Sequence, residues 1–140
     1  MKNNGFTLIE ALFAILLVGL AIASLVGANA AFTRANGAGA DLSTAEFLLE
    51  QVKELTATLD YDDLDDFDGE PFSPPISADG TPLTDFGAFT QEITVAKVSA
   101  SNFEPVDPND STPTPFIRVT ARVLMNSTEI TSASWIRADY

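Results

Sequence analysis

The sequence predicts an α+β fold: a long N-terminal helix, apolar enough in its first half to cross a membrane, packed on a small antiparallel sheet. Three observations predict it. From Phe6 to Phe32 the only charge is Glu10, and Ala11 to Thr33 is a charge-free run of 23 residues. A helix needs about 20 apolar residues to span a bilayer. Next, Leu42, Ala45, Leu48, Leu49, Val52, Leu55 and Leu59 recur at steps of three and four, the period of one helix face. Finally, the last part of the chain alternates apolar and polar residues, the period of strands.

Each element follows in order. Residues 1–5 are a short polar leader carrying Lys2. Residues 6–33 read as the membrane-crossing helix, apolar all round. Lys2 on the short leading side puts the N-terminus in the cytoplasm and the body outside. Residues 34–59 continue the same helix with a single apolar stripe, while Glu46, Glu50, Lys53 and Glu54 fall mostly on the other side. Glu50 and Lys53 are spaced to meet. Ser43 with Glu46 also reads as a capping box, which allows a helix break near Asp41.

Residues 60–140 form the body. Asp60 to Glu70 holds seven carboxylates in eleven residues. Asp62, Asp63, Asp65, Asp66 and Asp68 are oxygen ligands of the kind Ca²⁺ takes, although the spacing is not that of an EF-hand loop. The plainer reading is a solvated acidic turn. Pro71 to Phe86 reads as a loop or short irregular strands. Phe89 to Ser99 reads as a strand with neither face cleanly apolar. Asn102 to Pro115 reads as a surface loop. Phe116 to Met125 and Thr128 to Arg137 read as strands joined by a tight turn at Asn126-Ser127. Ile130, Ser132, Ser134 and Ile136 then share one face of the last strand. Three antiparallel strands on the helix stripe make one modest core.

Charge and composition narrow the function. Seven Lys plus Arg stand against twenty Asp plus Glu, for a net charge of −13. Residues 1–40 hold Lys2, Arg34 and Glu10, a net +1, so residues 41–140 carry −14. Such a body repels phosphate backbones, so no nucleic acid is expected to bind it. With no His and no Cys, the Ser-His-Asp and Cys-His nucleophiles, the usual zinc sites and any disulfide are excluded. A carboxylate enzyme would have to draw on the acidic run, which has no cleft or oxyanion donors implied around it. The chain reads as a non-enzyme with no cofactor, the Ca²⁺ option aside.

Glu10 is the informative residue. A carboxylate one turn inside an apolar span costs a few kcal/mol unless it is paired. No Lys or Arg lies between Lys2 and Arg34 to pair with it. A cut just before Phe6 would create an α-amino group that does. A secretory signal peptide ending at Ala28-Asn29-Ala30, or a plain signal anchor, leaves Glu10 unexplained.

Gly5-Phe6-Thr7-Leu8-Ile9-Glu10, between a short basic leader and a long apolar helix, resembles the processing signature of type IV pilins and pseudopilins. The resemblance implies a pilin-like fold. It implies that a prepilin peptidase cuts between Gly5 and Phe6, that the Phe6 amino group is methylated, and that Glu10 pairs with that group on a neighbouring subunit during assembly. It implies as partners other pilin or pseudopilin subunits, the peptidase, an inner-membrane assembly platform and membrane lipid. The implied place is the bacterial inner membrane, then a filament in the periplasm or at the cell surface. Many pilins carry a helix-melting Pro in the span. This chain has none there, and Gly27, Gly37 and Gly39 are candidates to serve instead; close helix approach is the alternative use of such small residues.

Tyr61-x-x-Leu64-Asp65-x-Phe67-Asp68-Gly69 is similar to a stretch after the helix in some minor pilins, those of MSHA-type pili included, with Leu64 and Phe67 as apolar anchors. Phe116-Ile117-Arg118-Val119-Thr120-Ala121-x-Val123 is similar to their last strands. The expectation is therefore a minor pilin or pseudopilin of a pilus or type II secretion filament. The alternative is a signal-anchored or exported acidic envelope protein with a Ca²⁺- or partner-binding loop.

Overall fold

The structure is a computed structural model and describes residues 7–106 and 114–139. The elements are a helix α1 (Leu8–Thr58) and strands β1 (Pro71–Phe72), β2 (Phe89–Lys97), β3 (Phe116–Met125) and β4 (Thr128–Ala138), with 3₁₀ turns at Asp62–Phe67 and Thr84–Phe86. By internal packing the chain divides into two units, residues 1–40 and 41–140.

In the first unit every described residue up to Gly39 is exposed. In the second, the helix buries Ala45, Leu48, Leu49, Val52, Leu55 and Thr56. That is the expected stripe with two differences at its ends. Leu42 remains 42% exposed, and Thr56 joins the stripe by bonding its hydroxyl back to the Val52 carbonyl at 2.9 Å. The helix does not break near Asp41. Burial of Ala45 and Leu48 outweighs the Ser43–Glu46 capping signal, as tertiary packing of an apolar face commonly does. Glu50 and Lys53 pair at 3.3 Å.

The sheet has the order β1-β2-β3-β4, antiparallel throughout. The three expected strands are present, and β1 adds a fourth. Its two residues pair with Glu92 and Gln91. Two residues ahead of Pro74-Pro75 carry no alternation to read. The hairpin between β3 and β4 turns at Asn126 and Ser127, with φ of 50° and 64°. Positive φ at both central residues is the type I′ geometry, which matches strand twist. Ser127→Gly should raise stability by about 0.5–1 kcal/mol by relieving the left-handed backbone. Thermal melting in detergent micelles would measure it; a lowered melting point would contradict this account of the turn.

One expectation about β4 is corrected. Val123 pairs with Thr131 while Leu124 pairs with Glu129, so Ile130 is an extra residue in a bulge. The bulge shifts the strand's phase by one. Ile130 packs toward the core, while Ser132, Ser134 and Ile136 are exposed on the other face.

The core is one layer between sheet and helix, divided into two clusters. Val52, Leu64, Ile93, Val95, Ile117, Val119 and Ala121 form the first; Ala45, Leu48, Leu49, Phe89 and Val123 form the second. Between Phe89 and Ile93 on the same strand face sits Gln91, fully buried. This polar residue is why β2 has no cleanly apolar face in the sequence. Its side-chain oxygen accepts from the Ile76 N–H at 2.7 Å; its amide donates to the Leu48 carbonyl at 2.8 Å and the Ile76 carbonyl at 3.1 Å. It ties helix, loop and sheet together.

Two arginines close the body. Arg122 bridges Glu92 at 3.2 Å and Glu129 at 2.8 Å on the exposed sheet face. The Ser132 hydroxyl and then Arg122 hold the Glu129 carboxyl below its usual range. Arg137 reaches the end of α1, donating to the carbonyls of Thr56 and Leu59. The last turn of α1 has no basic residue of its own. Arg137 supplies the cation that the negative helix end favours.

Candidate functional site

The candidate site begins where the helix begins. Gly5 and Phe6 lie outside the described residues. Thr7 is the N-cap: its hydroxyl oxygen accepts the Glu10 N–H at 3.3 Å, and its carbonyl accepts the N–H groups of Glu10 and Ala11 at 3.1 and 3.2 Å. Thr7-Leu8-Ile9-Glu10 is thus a capping-box sequence, Thr-x-x-Glu, at the start of α1. Sequence reasoning found this pattern at Ser43–Glu46, where it is not used, and missed it here. Glu10 sits exposed in the first turn, where a negative charge suits the positive helix end. So its backbone N–H is satisfied locally, while its carboxylate stays accessible.

Beyond Glu10 the helix is apolar all round. Its best 18-residue window has a mean hydropathy of 2.6, none of it buried within the structure, so this is a helix long and apolar enough to cross a membrane. Ala11 to Thr33 would rise about 34 Å at 1.5 Å per residue, against a hydrocarbon core of about 30 Å. The hydroxyls in the run are satisfied internally: Ser24 donates to the Leu20 carbonyl at 2.8 Å, and Thr33 to the Asn29 carbonyl at 3.0 Å. A donor that must leave water needs such a partner.

Gly19, Gly27, Gly37 and Gly39 are all helical, and a Cβ at any of them would meet nothing within 4 Å. No contact within the chain requires glycine there. Gly37→Ala and Gly39→Ala should each stabilise the helix by about 1 kcal/mol. Amide exchange of residues 35–41 in micelles should then slow about fivefold per substitution; unchanged exchange would mean the segment does not open locally.

The acidic segment is built differently from a metal loop. In a 3₁₀ turn, side chains three apart share one side. Tyr61, Leu64 and Phe67 therefore face the core together; Leu64 is fully buried, and Tyr61 and Phe67 pack against the same cluster. Of these, Leu64 and Phe67 are the anchors that the resemblance to minor pilins implied; Tyr61 was not among them. Asp62, Asp63, Asp65, Asp66 and Asp68 are all exposed. Among the described residues no group of three or more Asp, Glu, His or Cys is placed to hold a metal ion. The structure does not bring the five together. Two of them have structural work instead. Asp65 pairs with Lys97 at 3.8 Å, and the Asp68 carboxylate accepts the Val95 N–H at 2.8 Å. Burial, then the negative charges of Asp139, Asp65 and Asp62, push the Tyr61 phenol up. Its hydroxyl donates to the Thr114 carbonyl at 2.9 Å.

An N-terminal box on a bare apolar helix, joined to an acidic α+β body, is the pilin-like layout. The family model of the prokaryotic N-terminal methylation motif matches residues 1–26. Those residues carry the type IV pilin signature. Neither a curated protein nor a solved structure matches the chain. The motif implies, in general terms, processing by a prepilin peptidase, contact with other pilin subunits and a structural rather than enzymatic role. With the apolar helix it fits membrane anchoring.

Proposed function

We propose that the chain is a minor pilin or pseudopilin, a structural subunit of a filament of the type IV pilus or type II secretion kind. The carrying observation is the methylation motif over residues 1–26, which overlaps an apolar helical stretch, Ala11 to Thr33, that holds no charge and is exposed throughout. A prepilin peptidase hydrolyses the Gly5–Phe6 bond on the cytoplasmic face, and the new Phe6 amino group is methylated. The helix holds the subunit in the inner membrane, with the acidic body in the periplasm. An assembly platform then transfers the helix from lipid into the filament core. There Glu10 meets the amino group of a neighbouring subunit, and the pairing fixes register. Gly27, Gly37 and Gly39 let the helix yield as it packs.

The test is mass spectrometry of the N-terminal peptide from membranes of the native host. A peptide starting at Phe6 and one methyl group heavier is the expected result. A start at Ala31 would make the protein an ordinary exported acidic domain, and an intact Met1 would make it a signal anchor.

A further inference from the structure

The two edges of the sheet are treated oppositely. Every outward-pointing residue of β2 from Gln91 to Lys97 is engaged. Phe72 pairs with Gln91, the Gly69 N–H donates to the Ile93 carbonyl at 2.9 Å, Asp68 receives the Val95 N–H, and the Val106 N–H donates to the Lys97 carbonyl at 3.0 Å. This is a closed edge. The other edge, β4, is eleven residues long, contains no Pro or Lys, and has no main-chain partner on its outer side among the described residues.

The phase of β4 identifies the free groups. The Asp139 N–H donates to the Pro115 carbonyl at 2.8 Å. Bonding alternates along an antiparallel ladder. Residues 131, 133, 135 and 137 therefore bond to β3. The main-chain groups of Ser132, Ser134, Ile136 and Ala138 point outward. Natural sheets usually blunt such an edge. Here the bulge at Ile130 lies at one end and leaves the stretch from Thr131 to Ala138 regular.

Beside this edge lies a groove of about 560 Å³, lined by Glu46, Phe47, Leu49 and Glu50 of α1 and by Thr131 to Ala133 of β4. Its charge selects the occupant. All five basic residues of the body are already committed. Lys53, Lys97 and Arg122 are in ion pairs, and Arg118 and Arg137 are bonded to main-chain carbonyls. Glu46 has no cation paired with it among the described residues. With −14 on residues 41–140, a second copy of this body is repelled and a cationic chain is attracted.

We propose that the outer edge of β4 and its adjoining groove take an extended, cationic segment of a partner polypeptide as a fifth strand. Main-chain bonds to Ser132, Ser134, Ile136 and Ala138 give affinity, and a basic side chain toward Glu46 gives selectivity. The proposal concerns residues 41–140 and stands whether or not the Gly5–Phe6 bond is cut.

The test uses the full chain in detergent micelles. The probe is the peptide Lys-Thr-Val-Thr-Val-Thr-Lys, with its twin bearing Glu at both ends. The cationic peptide should slow amide exchange at Ser132, Ser134, Ile136 and Ala138 at least tenfold, and added salt should weaken the effect. The acidic twin should not slow it. Ser134→Pro removes an outward N–H without touching the β3 ladder and should abolish the protection. Glu46→Lys, which leaves the strand untouched, should reduce it severalfold even if the proline variant does not fold. Equal protection by both peptides, or none by either, would overturn the proposal. So would protection that rises with protein concentration alone, because a second copy would then be the occupant.

Discussion

Gln91→Leu is expected to destabilise the body by about 2–4 kcal/mol, although it fills nearly the same space with an apolar side chain. The reason is what it leaves behind. Ile76 is buried, and its N–H and carbonyl both depend on the Gln91 amide. The Leu48 carbonyl also loses a bond, at lower cost, because the helix ladder still supplies it with a partner. Gln91→Ala should cost about 3–5 kcal/mol, since a cavity between the two core clusters is added to the same unmet groups. Denaturant titration followed by near-ultraviolet circular dichroism would measure both. A Leu variant as stable as the parent would mean that the amide network contributes nothing net, and that Gln91 only fills space.

Glu10→Ala should be cut and methylated as the parent is, and yet fail to enter filaments. Thr7 keeps its N-cap bond to the residue-10 N–H, because that bond uses the main chain. The helix therefore still starts at Leu8. What is lost is the carboxylate available to an incoming amino group. Leaving one partner of a buried pair unmatched costs roughly 3–5 kcal/mol, which is about two to four orders of magnitude in incorporation. The measurement is the ratio of variant in sheared filaments to variant in membranes, in cells also making the parent. Glu10→Gln should fail similarly, since it keeps the shape but not the charge. Equal incorporation of parent and variant would remove the assembly role assigned to Glu10.

Much of this protein is legible residue by residue. The long apolar helix was readable because 23 uncharged residues admit few other uses, and its stripe because Ala45 to Leu55 keep a strict helical period. Leu64 and Phe67 were named as apolar anchors only through the resemblance of their stretch to minor pilins, and both pack on the core. Three features were not readable, each for a physical reason. The β4 bulge is a one-residue insertion, and Ile130 fits either phase of an alternating strand. Strand β1 falls within the loop or short irregular strands expected over Pro71 to Phe86, but its two residues are too few to have a period that would place it. The helix start at Thr7 was hidden because Glu10 drew attention as a charge in an apolar span. The same Glu is also the fourth residue of a cap. The capping signal at Ser43 was equally good locally, and there packing overrode it.

The bonds from Arg137 to the end of α1 have a consequence for the order in which the body folds. Arg137 and Thr56 are 81 residues apart in the chain. The body cannot finish its helix terminus until strand β4 is in place. Contacts this remote in sequence form late, after the intervening loop has closed. A chain clipped before β4 would present an uncapped helix end and an uncovered β3, a form that proteases would find readily. Strand β4 thus acts as a completion check, so that the body becomes durable only once that strand has docked.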